Sequence, residues 1–572
     1  MVLNEHTIGE VKKLSYRPDL PMIVQSDRTI LLEAQHPLFN EARQALAGFA
    51  ELIKSPEYIH TYRITPLSLW NAAAAHIAPE QVTEVLGTYS KYGVPSTIVR
   101  EIHETMKRYG LIRLEKAADQ LLLTGDDPLL LQELTSYRSI SSLLEEHREE
   151  HEYPVKPYAR GLIKQEMIRL GYPVQDLAGY TSGEDCPVSL LPTTASGKAF
   201  SLRGYQQEAV DAFHAAGSAL GGSGVLVLPC GAGKTVIGLG ALCQLQKATL
   251  ILTTNTTSVR QWISELRDKT DLDPAMIGEY TGERKEVKPV TVATYQILTY
   301  RPDAESDFPH MELFSKRDWG LIIYDEVHLL PAPVFRVTSG IQATRRLGLT
   351  ATLVREDGRE EDVFTLIGPK KYEMPWKVLE EQGWIAGATC QEIRLPFEAK
   401  WREAYAHAGA RQKFRIAAEN PRKLDVVRKL LDRHGNDRVL IIGQYVEQLE
   451  QMAQLLDIPV ITGKVPEKER ESLYQRFKAG DLTRLIVSKV ANFAVDLPDA
   501  NVAIQISGTF GSRQEEAQRL GRILRPKQKE NTAHFYTLVT RDTREQEFAM
   551  NRQLFLVEQG YKYDVIEIES LD

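Results

Sequence analysis

The stretch "VLVLPCGAGKTVIG", residues 225–238, decides how the rest of the chain reads. Val225 to Leu228 is an apolar run that stops at Pro229. Gly231 and Gly233 follow, and Lys234 and Thr235 then lead a second apolar segment. This order predicts a buried strand, a glycine turn and a helix. Each part has a chemical use. Glycines let backbone amides close around phosphate oxygens, and the start of a helix offers unpaired N–H groups to an anion. Lys234 is placed to reach β- and γ-phosphates, and Thr235 to ligate Mg²⁺. The strict phosphate-loop spacing puts a glycine where this chain has Leu228, so the motif needs a partner.

The partner is "LIIYDEVH", residues 321–328. Asp325 ends an apolar run, where its carboxylate is placed to hold Mg²⁺ directly or through water. Glu326 beside it is the candidate that orients and deprotonates an attacking water. Hydrolysis of a nucleotide also needs positive charge at the γ-phosphate. "QEEAQRLGRILRPK", residues 514–527, supplies it. Gln518, Arg522 and Arg525 lie four and three apart and share one helix face. An arginine reaching in from a second domain stabilises the transition state and senses closure.

Around these motifs, short β-branched runs alternate with helical patterns. "GVLVLP", "ATLILTT", "VTVATY", "LIIYDE" and "RLGLTAT" form one block; "RVLIIGQ", "PVITG", "RLIVSKV", "VAIQIS" and "FYTLV" form a second. Runs this apolar suit strands covered on both faces, so each block predicts a parallel sheet with crossover helices. The fold class is α/β, two such blocks in tandem, and no short sequence repeat links them.

The first 200 residues differ. "HPLFNEARQALAGFAELI" places Phe39, Ala42, Leu46, Phe49 and Ile53 at helical spacing behind Pro37, which predicts one helix. Residues 78–116 predict helix, a Gly93-Val94-Pro95 turn, helix and a short strand, a helix-turn-helix-like unit. Its second helix mixes Arg100 and Lys107 with Glu101 and Glu104, which favours protein docking over DNA reading. Residues 116–200 are polar and turn-rich and form a small connecting domain.

Bulk properties narrow the class. A chain of 572 residues suggests three or four domains at ~150 residues each. The net charge of −8 excludes a uniformly basic nucleic-acid coat but not a local basic channel. Cys186, Cys230, Cys243 and Cys390 include no C-x-x-C pair, so they predict plain thiols in a reducing compartment and no zinc. No apolar run reaches the ~18 residues of a membrane span, and "MVLNEHTIGEVKKL" lacks a signal-peptide core. The expectation is a cytoplasmic protein without a membrane partner, nucleoid-associated if the source is prokaryotic.

Two tandem blocks carrying GKT, DEVH, TAT and QRLGR resemble the superfamily 2 helicases. The finer wording is similar to the XPB family of DNA helicases. "VLPCGAGKT", "YDEVHLLPA", "LGLTATLVREDG", "LIGPKKYE" and "GSRQEEAQRLGRILR" carry it, as do "LEAQHPLFNEA", "GVPSTIV" and "FLVEQGY" towards the two ends. The resemblance therefore spans nearly the whole chain. It implies two RecA-like motor domains, at 201–385 and 386–572, preceded by α-rich or α+β domains. Of these, 1–115 is the docking domain and 116–200 stands where the family has its damage-recognition domain. A thumb-like insertion is implied at about 397–423, where Lys400, Arg402, Arg411, Lys413 and Arg415 accompany Trp401 and Phe414 and would suit a pair of helices that grip DNA.

The resemblance also implies roles. "LRGYQ" is similar to the adenine-contacting motif, making Arg203 and Gln206 nucleotide contacts with Gly231, Gly233, Lys234 and Thr235. "TTNTTSVRQW" is similar to the first nucleic-acid motif, with Ser258, Arg260 and Gln261 near the DNA backbone. Thr281 and Thr294 match later contact motifs, and Thr462, Gly463, Ser488 and Lys489 match those of the second block. Hydroxyls and amides grip phosphates without reading sequence, which suits a motor. His328, Thr350 and Thr352 match the element that couples hydrolysis to domain motion. Arg355, Glu356 and Asp357 fall on the family's Arg-Glu-Asp motif for strand separation. One departure stands in "SKVANFAVDLPDA", where Ala491 and Ala494 replace a glycine and a small hydroxyl while Asp496 and Pro498 remain.

The implied activity is an ATP-dependent 3′–5′ DNA helicase or translocase in DNA repair, using ATP and Mg²⁺. Its implied partners are single-stranded and forked DNA, with a partner nuclease or a subunit of a repair or transcription complex. Two alternatives remain open: a double-stranded DNA translocase without processive unwinding, and an ATP-gated recruitment scaffold.

Overall fold

The computed structural model describes residues 16–54, 58–117, 120–145, 153–218, 220–229, 231–303, 308–342, 344–351, 360–384, 386–488, 500–507, 532–558 and 563–568. The chain divides into two compact units, Met1–Tyr109 and Gly110–Asp572.

The larger unit contains two seven-stranded sheets. The first is built from β1 (Ser223–Val227), β2 (Thr249–Thr253), β3 (Ile277–Tyr280), β4 (Val290–Thr294), β5 (Leu321–Asp325), β6 (Arg345–Thr350) and β7 (Lys370–Glu373). They lie side by side as β3-β4-β2-β5-β6-β1-β7, and every pairing is parallel. The second is built from β8 (Gly387–Leu395), β9 (Val439–Gly443), β10 (Val460–Ile461), β11 (Arg484–Ser488), β12 (Val502–Gln505), β13 (Thr532–Thr540) and β14 (Tyr563–Glu567). Their order is β10-β11-β9-β12-β13-β8-β14, again all parallel. The two orders are the same permutation of chain order. The repeat that the sequence hides is therefore explicit in the topology, that of two tandem RecA-like domains.

All ten apolar runs of the sequence are strands in these sheets. The four strands it did not announce have a common reason. β3, β7 and β14 are outermost and carry charged or polar residues such as Glu279, Lys370, Lys371 and Asp564. β8 is inside the sheet but buries Glu392, which is fully covered and accepts hydrogen bonds from Arg394 Nε at 2.6 Å and Gln553 Nε2 at 2.6 Å.

The smaller unit is α+β. Its antiparallel sheet runs Met22–Val24, Thr29–Glu33, Ile59–Arg63 and Glu51–Lys54. The single helix expected from Phe39 to Ile53 is instead a helix, Phe39–Leu46, followed by a turn and a strand. Leu46 and Phe49 are buried as their spacing demanded, but the backbone reverses at Ala47-Gly48 and Leu52 is buried from the strand. The helices Pro79–Tyr89 and Ser96–Arg108 form as expected, with Ile98, Ile102 and Met106 buried. Glu101, on the outer face, pairs with Arg28 at 2.8 Å.

Within the larger unit, a four-stranded sheet of Pro154–Val155, Gln120–Gly125, Ile112–Ala117 and Val174–Asp176 precedes the first motor sheet. The helix Arg160–Arg169 joins the two. A Cβ on Gly161 would sit 2.3 Å from the Ser339 carbonyl oxygen of helix Ala332–Gly340, so only glycine permits this approach. Around it lies a buried ionic cluster. Asp176 accepts from Arg160 at 2.8 and 3.0 Å and from Lys164 Nζ at 2.9 Å, and Lys164 also donates to Gln342 Oε1 at 2.5 Å. Burial draws the Lys164 ammonium down to about 8 despite Asp176 beside it, and the two cations hold Asp176 far below the carboxylate range although burial opposes them. Removing one charge from such a cluster strands the others. Asp176→Asn is expected to lower the stability of the larger unit by roughly 3–5 kcal/mol in chemical denaturation.

Candidate nucleotide-binding site

The carboxyl ends of β5, β6 and β1, three neighbours in the sheet, bring the first set of motif residues together. Register aligns Asp325 with Leu349, and Thr350 with Val227. After β1 the chain turns through Gly231 (φ 84°) and Gly233 (φ 82°) and enters the helix Lys234–Leu245. Both glycines are left-handed, where other residues cost ~1–2 kcal/mol. Gly233 has a second constraint: a Cβ there would stand 2.6 Å from Gln206 Nε2.

Gln206 is only 4% exposed and braces this turn. Its amide nitrogen donates to the Ala232 carbonyl at 3.0 Å, beside Tyr205 Oη, which donates to the same oxygen at 2.7 Å. Its amide oxygen accepts from Arg203 N at 3.0 Å. The Arg203 guanidinium lies 4.4 Å from the ring centroid of Trp384, which is 38% exposed. Trp384 was not among the residues singled out in the sequence.

The acidic pair is half-buried and wired. Trp262 Nε1 donates to Asp325 Oδ2 at 2.9 Å, and Tyr295 Oη donates to the Asp325 carbonyl at 3.0 Å. Lys234 Nζ stands 3.3 Å from Glu326 Oε1. Glu326 is itself left-handed at φ 51°, a conformation that costs energy and is stored where function demands it. Burial, reinforced by the charge of Glu326, pushes the Asp325 carboxyl up to about 6. Burial also pushes Glu326 upward, but Lys234 first and His328 second outweigh it, and its carboxyl settles below its usual range. Two adjacent carboxyls are thus driven apart. His328 Nδ1 shares a hydrogen bond of 2.7 Å with Thr350 Oγ1 and stands 3.5 Å from Glu326 Oε2. The Thr350 carbonyl in turn accepts from Leu228 N at 2.9 Å, tying β6 to the phosphate loop.

The other half of the same sheet edge carries the second set. Helix Thr256–Lys269 follows β2 and is capped by Asn255, whose Oδ1 accepts from Ser258 N at 2.9 Å. Arg260 and Gln261 are exposed, while Val259, Trp262 and Leu266 are buried. Thr281 follows β3 and Thr294 ends β4. Both threonines are buried with their hydroxyls turned to the protein. Thr281 Oγ1 donates to Glu279 Oε1 at 3.2 Å, and Thr294 Oγ1 accepts from Ile297 N at 3.2 Å. In the second sheet, Thr462 and Ser488 are buried at the carboxyl ends of β10 and β11, and Gly463 is exposed. The hydroxyls of Thr281 and Thr294 thus have partners within the protein, where the expectation had them near a nucleic-acid backbone.

Helices Ala399–His407 and Ala410–Ala418 occupy the expected insertion. Phe414, expected to grip DNA, is 2% exposed and packs edge-on against Phe548 at 5.4 Å. Arg415 pairs with Glu419 at 2.9 Å and with Glu447. Lys400 and Arg402 remain exposed. Thr352, Arg355, Glu356, Asp357, Lys489, Ala491, Ala494, Asp496, Pro498, Gln518, Arg522 and Arg525 lie outside the described residues.

Trp262 and Tyr295 are the functional neighbours that sequence reasoning missed. The Val259, Trp262 and Leu266 spacing reads as ordinary core, and the indole does pack there; only the fold reveals what its N–H meets.

Comparison with known proteins accounts for this arrangement. The family described as "ERCC3/RAD25/XPB C-terminal helicase" matches residues 379–571. "Type III restriction enzyme, res subunit" matches 199–355, and "Helicase conserved C-terminal domain" matches 22–149. The chain is 51% identical over 97% of its length to "DNA 3'-5' helicase XPB" of Kineococcus radiotolerans, covering 98% of that protein. It is 50% identical to the protein of the same name in Mycobacterium tuberculosis, over 97% of this chain and 99% of that one. A Saccharomyces cerevisiae protein, "General transcription and DNA repair factor IIH helicase/translocase subunit XPB/SSL2", is 33% identical over 97% of this chain and 73% of its own length. The chain belongs to the XPB family of helicases.

Proposed function

We propose that this protein is an ATP-dependent 3′–5′ DNA helicase that couples nucleotide hydrolysis to strand separation. The observation that carries this reading is the half-buried Lys234–Glu326 contact at 3.3 Å beside Asp325, where the glycine turn meets the end of β5. A lysine and a carboxylate held this close, with the triphosphate-binding turn next to them, are the parts of a hydrolase for a nucleoside triphosphate.

In this reading Gly231, Gly233 and the start of helix Lys234–Leu245 wrap the phosphates with backbone amides. Lys234 exchanges its contact with Glu326 for the phosphate oxygens, which frees Glu326 to orient water and take its proton. Gln206 holds the turn through Ala232 and, with Arg203, meets the base. The family's arginines, Arg522 and Arg525, with Gln518, complete the site from the second domain.

The donor set suits Mg²⁺. The Asp325 carboxyl is raised first by its enclosure and then by the adjacent Glu326 carboxylate, a penalty on its charge that a divalent cation relieves. Asp325 and the Thr235 hydroxyl are the residues to hold it, and when bound it supplies charge neutralisation at the phosphate oxygens.

Ser258, Arg260, Gln261 and the backbone at Thr281, Thr294, Thr462 and Gly463, with Ser488 and Lys489, are the proposed track for one DNA strand. His328 and Thr350, with Thr352, link that track to hydrolysis. Arg355, Glu356 and Asp357 are proposed to act at the fork. Translocation along duplex DNA is a second reading, favoured by the term "helicase/translocase" in the name of the yeast relative. That name also makes a multiprotein complex a fitting setting, and residues 1–115 are the proposed docking domain. Among the described residues no helix is long and apolar enough to cross a membrane.

Lys234→Ala and Glu326→Gln are each expected to lower DNA-stimulated ATP hydrolysis by roughly 10²–10⁴-fold. Glu326→Gln should still bind ATP and DNA; full hydrolysis by either variant overturns the assignment. Replacing Arg355, Glu356 and Asp357 together by alanine is expected to abolish unwinding of a tailed duplex while ATP hydrolysis continues. Normal unwinding by that variant makes the charge cluster ordinary surface.

A further inference from the structure

The hydrogen bond from Trp262 to Asp325 joins two sites that the sheet order otherwise separates. Trp262 belongs to helix Thr256–Lys269, whose exposed Arg260 and Gln261 are candidate DNA contacts. Its indole is 1% exposed. At one end of the ring system Nε1 donates to Asp325 Oδ2 at 2.9 Å. The far edge presses on the phosphate-loop helix: a Cβ on Gly238 would stand 2.4 Å from Trp262 Cη2 and 3.1 Å from Cζ3. One rigid side chain thus touches the acidic residue of β5 and the helix that begins with Lys234.

The outer end of this lever is also held. Arg260 NH2 lies 3.7 Å from Glu283 Oε2, both side chains exposed, and Glu283 follows Thr281 in the turn after β3. A DNA phosphate arriving at Arg260 competes with Glu283 for the guanidinium. The helix is a rigid element, so a shift at Arg260 is carried two residues along to the indole. The indole has no room to absorb it, because Gly238 is already at contact distance.

We propose that Trp262 is a positioning residue that couples DNA binding on helix Thr256–Lys269 to the orientation of Asp325 in the nucleotide site. This rests on the helicase reading above. Its thermodynamic content is specific. If bound DNA alters where the indole N–H sits, then DNA and Mg-nucleotide change each other's affinity by one common factor, and removing the N–H shrinks that factor.

The test uses the full chain and equilibrium binding. Affinity for a fluorescent single-stranded oligonucleotide is measured by anisotropy, with and without saturating Mg²⁺ and a non-hydrolysable ATP analogue. The wild type is expected to show a coupling factor of about 5–150-fold. Trp262→Phe removes the donor and should bring the factor to within about twofold of unity, while DNA in the absence of nucleotide binds within about threefold of wild type. Phenylalanine ends short of the ring atoms that face Gly238, so packing is also disturbed. Gly238→Ala on the Trp262→Phe background places a methyl in that space. This double variant is expected to recover thermal stability without recovering coupling. Coupling that returns with packing, or a Trp262→Phe protein that couples like the wild type, overturns the proposal and leaves the helicase reading intact. A wild type that binds DNA with no dependence on nucleotide also overturns the proposal, while the helicase reading is decided separately by the hydrolysis and unwinding measurements.

Discussion

Parallel strands can follow one another only through crossovers that bring the chain back over a face of the sheet. Every strand then points the same way, and every loop leaving a carboxyl end opens on one edge. In the first motor sheet this rule, with the order β3-β4-β2-β5-β6-β1-β7, sorts the edge into two halves. The glycine turn, Asp325 with Glu326, and Thr350 collect on β1, β5 and β6. The Ser258 helix, Thr281 and Thr294 collect on β2, β3 and β4. The two proposed sites are adjacent but distinct because β2 and β5 are sheet neighbours. Trp262, on the helix after β2, needs only to reach across that one boundary to meet Asp325.

The nucleotide site is costly by itself. Two carboxyls, a lysine and a histidine crowd together with little exposure, Glu326 occupies a left-handed backbone conformation, and burial, with the charge of Glu326, holds Asp325 up at about 6. Such a cluster is tolerated because each charge has a neighbour: Lys234 faces Glu326, and Trp262 donates to Asp325. The proposed binding of a polyphosphate and a divalent cation rests on this set of charges. The ionic cluster at Asp176 is built on the same physics for a different end. There the anion is shared by Arg160 and Lys164, and the product is a fixed joint between the connecting segment and the first motor sheet.

Much of this was legible in residue order, for physical reasons. Strands buried on both faces must be apolar throughout, and all ten such runs are strands. A glycine turn that grips phosphate and an acidic strand end are local features, visible without knowing what lies beside them. The reading failed where burial was not the determinant. Outer strands β3, β7 and β14 carry charges because one side faces water. β8 hid because it carries a charged pair, Glu392 with Arg394 of the same strand, and Glu392 is buried with a further hydrogen bond from the distant Gln553. The helix expected over Phe39–Ile53 had a sound apolar spacing, but a turn at Ala47-Gly48 let a helix and a strand satisfy the same buried positions. Phe414 looked like a DNA contact beside basic residues and is core.

The sequence by itself determined the elements from which the proposed chemistry is built: the glycine turn with its lysine, the acidic pair, and two parallel sheets in tandem. These depend on residue type and short spacing, which covalent geometry alone enforces. Only the tertiary structure decided which groups meet. The duplicated strand order, the inward turn of the Thr281 and Thr294 hydroxyls, and the approach of Gly161 to Ser339 all depend on packing between distant segments. So does the bond from Trp262 to Asp325. An indole at core spacing is the same in sequence whether its N–H meets a backbone carbonyl or the Asp325 carboxylate, because that partner is supplied by the neighbouring strand.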